Sequence, residues 1–173
     1  LSHTNDEAVN KRYVFMIGPV AENSLPATPD YLVYCQDERS LLMAFIECYQ
    51  ALDADIIIGW AVINFDLRFL QRKADQLKLP LLLGRSQTEC VWRQSRDNDE
   101  HYTVIVPGRL VLDGIDTLKS ATYNFESFSL QSVSSQLLNR GKLSHDVDNR
   151  GDEITQQFYN DKLSLAAYNL EES

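Results

Sequence analysis

The sequence predicts an α/β layered domain with a mixed sheet, because strand-like and helix-like segments alternate along it. The clearest unit is residues 55–70, where a β-branched run halts at Gly59 and a turn delivers Asn64-Phe65-Asp66 to an amphipathic helix. Such a strand–turn–helix holds one carboxylate, Asp66, at the open end of a sheet, where a divalent metal can be bound. No run approaches about 18 apolar residues, so no helix long enough to cross a membrane is expected.

Taken in order, residues 12–17 (Arg-Tyr-Val-Phe-Met-Ile) read as a strand ended by Gly18-Pro19, and residues 21–30 as a loop carrying Pro26 and Pro29. Asp37 is placed to cap a helix running to about Leu52, with Leu41, Phe45, Cys48 and Leu52 on one face. Residues 56–60 form the next strand, too apolar to be solvated on either side. A helix over 66–79 follows, with Leu67, Leu70, Ala74 and Leu77 as its stripe and Pro80 as its stop. Residues 85–100 are polar, with Arg96-Asp97-Asn98-Asp99 as a turn. Short strands over 101–106 and 109–112 flank Pro107-Gly108. Helical periodicity returns over 114–121 and 129–139. A polar connection spans 141–151, and a last helix runs from about Asp152 towards the C-terminus.

The chain has 173 residues, enough for one domain with a real core, and 44% hydrophobic with 24% charged residues is ordinary for a globular protein. Its formal charge of −9 argues against a free-standing tight nucleic-acid binder, whose surface is normally basic. A metal nuclease remains open, since carboxylates that hold cations belong to such a site; most DNA affinity would then come from another domain. Cys35, Cys48 and Cys90 make no metal-ligand pattern and suit reduced, packed thiols in a cytoplasmic protein. The N-terminal residues lack the basic-then-apolar design of a signal peptide.

Asp66 has two readings that can coexist: helix N-cap or metal ligand. Tyr168 and Glu172 lie four apart on the last helix and share a face, which suits a packed tyrosine and a solvated glutamate as well as a paired site. Asp113 and Asp116 read as strand-end or helix-cap residues that can also lie near the site. His3, His101 and His145 are scattered among polar residues and read as surface.

The segment Ile-Ile-Gly-Trp-x-Val-x-x-Phe-Asp-Leu-Arg-x-Leu resembles the second exonuclease motif of family B DNA polymerases, of the bacterial polymerase II type. Ala166-Ala167-Tyr168-Asn169-Leu170-Glu171-Glu172 resembles their third motif, Tyr-x-x-x-Asp. The segments Leu82-Leu83-Gly84-Arg85, Gly108-Arg109-Leu110-Val111-Leu112-Asp113-Gly114-Ile115 and Leu118-Lys119-Ser120-Ala121 extend the likeness, as do Phe125-x-x-Phe128-Ser129-Leu130 and Asp152-Glu153-Ile154. The resemblance covers most of residues 12–172 in consistent order. It implies a ribonuclease-H-like exonuclease fold, with a mixed sheet flanked by helices. It also implies 3′→5′ proofreading hydrolysis of a DNA 3′ end with two divalent cations, Mg or Mn. On this reading Asp66 holds metal, Tyr168 orients the attacking water and Glu172 is the second metal ligand. Phe65 packs beside the terminal nucleotide or, equally, into the core. Asn64 and Lys119 are further substrate-binding candidates, Lys119 through a phosphate or the attacking water. The implied partners are a single-stranded DNA 3′ end and the remaining domains of a polymerase, in a bacterial cytoplasm and without a membrane.

The sequence departs from that family pattern at definite places. The Asp-x-Glu of the first motif, on the first strand of the sheet, is not found; Asp6-Glu7 are adjacent and would point to opposite faces of a strand. Ala61 replaces the asparagine that usually follows Gly-Trp. Glu172 replaces aspartate, and one extra methylene can shift a carboxylate by about 1 Å. The expectation is therefore an exonuclease domain fragment over 1–173, lacking its first-motif strand and with a truncated third-motif helix. Such a chain would bind catalytic metals weakly and hydrolyse DNA poorly or not at all. A strand exchanged with a second copy is one way to fill the gap. The competing readings are a non-catalytic exonuclease-fold scaffold, which Ala61 and Glu172 favour, and a stand-alone exonuclease acting on DNA or RNA ends.

Overall fold

The structure is a computed structural model that describes residues 2–4, 10–96, 101–138 and 150–171. Asp6-Glu7, Asp97 to Asp99, His145 and Glu172 lie outside the described residues, as does most of the polar connection over 141–151. The chain divides into two compact units, residues 1–47 with 144–173, and residues 48–143.

In the first unit, β1 (Ser2–Thr4) pairs antiparallel with β2 (Asn10–Arg12). β3 (Val14–Ile17) pairs parallel with β4 (Leu32–Cys35), in the register Val14↔Leu32 to Ile17↔Cys35. The strand expected over 12–17 is thus split at Tyr13. The loop expected over 21–30 contains a 3-10 turn, Val20–Ser24, and is followed by a strand that sequence reading missed. That turn is fastened to β4 by Asn23, whose side chain accepts from Tyr34 N–H at 2.8 Å and donates to Tyr34 C=O at 2.9 Å. Inward residues Val14, Met16, Leu32 and Tyr34 meet Leu165 and Ala166 in one buried cluster.

α1 (Glu38–Leu52) begins where Asp37 predicts. Asp37 accepts from Ser40 N–H at 2.7 Å while Ser40 Oγ accepts from Asp37 N–H at 3.0 Å, a reciprocal cap. Its most buried residues are Leu42 and Tyr49, whereas the expected stripe of Leu41, Phe45, Cys48 and Leu52 is half-buried. The last helical stretch is two helices, α5 (Arg150–Asn160) and α6 (Lys162–Glu171). The break falls at Asp161, whose carboxylate caps α6 by accepting from Ser164 N–H at 3.1 Å and Ser164 Oγ at 2.6 Å.

The second unit is built on β5 (Ile56–Gly59) and β8 (Leu110–Asp113), paired in parallel from Ile56↔Leu110 to Gly59↔Asp113. Between them in sequence, β6 (Val91–Gln94) and β7 (Tyr102–Ile105) form an antiparallel hairpin. Only β7 was expected; a tryptophan among polar residues gives β6 little strand signature. α2 (Arg68–Leu77), α3 (Gly114–Ser120) and α4 (Leu130–Leu138) complete the unit. The domain is mixed α/β, as expected. Among the described residues, however, the strands form four separate pairs rather than one sheet, since none has a neighbour in both β3–β4 and β5–β8.

β5 corrects a second expectation. Ile56 and Ile58 are 50% and 74% exposed, and their partners Leu110 and Leu112 are 53% and 41% exposed. Alternation puts these four on one face, with Ile57 and Val111 half-buried on the other. Apolar composition marks a strand suited to burial on both sides, whereas cover depends on what packs against each face.

Candidate active site

Asp66 lies where β5 gives way to helix. Ala61 turns the chain in the left-handed region, φ 57° and ψ 26°, and a π-helical turn, Val62–Leu67, runs directly into α2. The helical path therefore starts four residues before Asp66, not at it. Asp66 sits inside the turn, so the N-cap reading fails and its carboxylate caps no helix. Phe65 is 71% exposed, which removes core packing as its role.

Asp113, at the end of neighbouring β8, is buried. One carboxylate oxygen accepts from Ile63 N–H at 3.0 Å and the other from Ile115 N–H at 2.9 Å. A single side chain thus caps α3 and props the turn that carries Asp66, consistent with the cap role expected for it. The close approach of the two elements needs glycine at 114, where a Cβ would lie 2.7 Å from the Trp60 ring. Burial, and secondarily the Asp113 carboxylate, push the Asp66 pKa above the ordinary carboxylate value.

Asn64 is not idle. Its side-chain oxygen accepts from Tyr102 N–H at 2.7 Å, and its amide nitrogen lies 3.3 Å from His101 Nδ1. His101 is accordingly half-buried against the turn rather than a surface histidine. One helical turn on, the Arg68 guanidinium lies 4.2 Å from the Tyr102 ring centroid and 5.5 Å from that of Trp92. Gln71 then accepts from Trp92 Nε1 at 2.9 Å. Residues 64, 68 and 71 form one face committed to the hairpin. Sequence reading missed Arg68 and Gln71; polar residues at that spacing opposite aromatic strand residues were the available signal.

Lys119, in the last turn of α3, is exposed, with Nζ 5.1 Å from the Phe128 ring centroid. Phe128 C=O accepts from Trp60 Nε1 at 3.1 Å, tying that aromatic segment to the end of β5. Asp116 lies in the first turn of α3. Tyr168 belongs to the first unit, where it is half-buried on α6 and packs against the Val14–Met16–Leu32 cluster. The structure thus gathers Asn64, Phe65, Asp66 and Asp113 around one turn, while Tyr168 is described with its own unit.

The sequence model of the DNA polymerase family B exonuclease domain matches residues 2–133. The chain belongs to this family. Over 167 residues, 96% of its length, it is 41% identical to DNA polymerase II of Escherichia coli. It is 28% identical over 160 residues, 84% of its length, to the DNA polymerase delta catalytic subunit of Caenorhabditis elegans. Over 112 residues, 65% of its length, it is 28% identical to a DNA polymerase of Thermococcus aggregans. The chain spans 21%, 14% and 6% of these relatives.

Exonuclease domains of this family imply divalent cations. Among the described residues no three or more His, Cys, Asp or Glu side chains come together to hold one. Asp113 has both oxygens committed to backbone N–H groups, whereas the Asp66 carboxylate, among the described residues, is hydrogen-bonded only by its own backbone N–H. A carboxylate whose pKa is raised by burial and a like charge is chemically suited to a cation, and magnesium is commonly held by one or two carboxylates completed by substrate phosphates. Asp66 fits as one such ligand.

Proposed function

We propose that this chain is the 3′→5′ proofreading exonuclease part of a longer bacterial DNA polymerase. The reaction is hydrolysis at a single-stranded DNA 3′ end. Water adds to the terminal phosphorus and the bond to the preceding 3′ oxygen breaks. A nucleoside monophosphate leaves, and the shortened strand keeps a 3′ hydroxyl. The observation that carries this reading is Asp66, set in the turn beyond the carboxyl end of β5 and hydrogen-bonded, among the described residues, only by its own backbone N–H, in a chain of this family.

Asp66 and Glu172 are the residues that would hold divalent cations, Mg or Mn. When bound, such a pair supplies an activated water and stabilises the leaving oxygen. Tyr168 orients the attacking water through its hydroxyl, and exposed Phe65 packs beside the terminal nucleotide. Lys119 approaches a backbone phosphate. Asn64 serves the substrate by fixing the turn rather than by a free amide. With a net charge of −9, the chain takes most of its DNA affinity from the other polymerase domains. Among the described residues no helix is long and apolar enough to cross a membrane, and the bacterial cytoplasm is the proposed location.

The test is Mn²⁺ calorimetry with digestion of a single-stranded oligonucleotide, on this chain and on Asp66→Ala. Weak but saturable binding and slow 3′-end shortening, both lost in the variant, are expected. Digestion that survives Asp66→Ala would overturn the assignment. Saturable DNA binding with no metal uptake and no digestion would favour the scaffold reading instead. Glu172→Asp, which restores the family's shorter carboxylate, is expected to raise the digestion rate.

A further inference from the structure

The polar residues of one face of the Val62–Leu77 segment hold the hairpin, whereas the adjacent face carries two exposed phenylalanines. Residues 64, 68 and 71 share a face because all three touch β6 or β7. Residues one position later, Phe65, Phe69 and Arg72, therefore share the neighbouring face. Phe65 is 71% and Phe69 56% exposed, a large apolar area for an isolated helix surface. Arg72 is exposed and has no carboxylate partner among the described residues. The segment carries Arg68, Arg72 and Lys73 against Asp66 and Asp75, a local positive excess in a chain of net charge −9. The rings stand one turn apart, about 6 Å along the axis, and Asp66 follows directly on the first.

The geometry points to a single-strand subsite on Phe65, Phe69 and Arg72, in which Phe69 stacks on a base just upstream of the terminal nucleotide and Arg72 pairs with the intervening phosphate. This rests on the exonuclease reading above and extends it from the reacting bond to the strand behind it. Stacking on exposed rings accepts any base, which suits an enzyme that must remove whichever nucleotide ends the strand. The positive charge offsets, at the site itself, the repulsion that an acidic chain offers to DNA. A second polymerase domain seated on the same rings is the other occupant such a face allows, and the test separates the two.

The experiment uses the full chain in EDTA, so that no strand is hydrolysed, with oligo-dT bearing one 5-iodouracil second or third from its 3′ end. Irradiation is expected to crosslink Phe69 or Phe65. Phe69→Ala and Arg72→Ala are each expected to weaken binding about tenfold, with Phe69→Tyr restoring it and thermal melting unchanged. Crosslinks elsewhere, or unchanged affinity in both variants, would overturn the subsite. So would loss of thermal stability in Phe69→Ala without loss of affinity, which would mean the ring packs against protein. Digestion in Mn²⁺ is scored separately with Asp66→Asn. Crosslinking at the stripe with digestion indifferent to Asp66 would sink the exonuclease reading and leave the subsite standing.

Discussion

The two ends of the β5–β8 pair carry opposite electrostatic designs. At the amino end, Asp53 and Asp55 meet arginines. Arg85 Nε lies 3.0 Å from Asp53 and its terminal nitrogen reaches Asp55, while Arg109 Nη1 lies 3.1 Å from Asp53. The Arg109 side chain is fully buried, donates to Leu83 C=O at 3.0 Å and to Ala54 C=O, and lies 4.9 Å from the Tyr49 ring centroid. Burial pushes Tyr49 up to about 12, and hydrogen bonding from Arg85 holds Asp53 below the usual carboxylate range. At the carboxyl end, Asp66 and Asp113 meet no arginine among the described residues, and the Asp66 pKa rises instead. Open parallel sheets bind ligands beyond their carboxyl ends. Here that end is where opposite charge is withheld, while the other end spends its charges on holding the fold.

The largest test of that contrast is Asp66→Asn, expected to lower the chain's already slow exonuclease turnover on the order of a thousandfold. Its melting temperature should stay at or above that of the parent at neutral pH. At the structural end, Arg109→Ala should cost about 3 kcal/mol in chemical denaturation, because two carbonyls lose their donor at once and Asp53 is left with Arg85 alone. A smaller loss, about 2 kcal/mol, is expected for Asp113→Ala, which removes the α3 cap and the support of Ile63.

The pH dependence sharpens the same comparison. Asp66, with a raised folded-state pKa, contributes stability below its unfolded value that is lost as pH rises through the folded one. Asp53, with a depressed pKa, contributes stability above its unfolded value that is lost as pH falls through the folded one. The advantage of Asp66→Asn over the parent in melting temperature should therefore shrink as pH drops towards about 4. Asp53→Asn should show the reverse, a deficit at neutral pH that closes on acidification. Parallel melting curves at all pH values would remove the distinction between the two ends. The smallest effect concerns the turn itself: Ala61→Gly, which relieves a left-handed alanine, should stabilise by about 0.5–1 kcal/mol.

That left-handed position also gives meaning to a departure visible in the sequence. Asparagine tolerates positive φ better than alanine, so the residue usual in this family suits the turn, and Ala61 keeps the conformation without that advantage. The structure holds it by other means, through Asp113 on Ile63 N–H and Asn64 on the hairpin.

Local chemistry was enough to read the ends of α1 and α3, because Asp37 and Asp113 satisfy backbone donors within a few residues. The same locality made the residue 55–70 unit and its carboxylate legible, and the family motifs marked Asp66 and Phe65 directly. Where a cue was local but the alternative was also local, the sequence misled: Asp66 looks like a cap, and only the π-helical turn beginning at Val62 moves the helix start past it. Sequence could not show that His101 meets Asn64, that Trp92 and Tyr102 take Arg68, or that one face of β5 stands exposed. Each of these depends on residues tens of positions apart arriving together, and side-chain commitment is a property of neighbours in space. The sequence alone determined which groups have the chemistry of the site; the tertiary structure decided which of them are spent on the fold and which are left for a ligand.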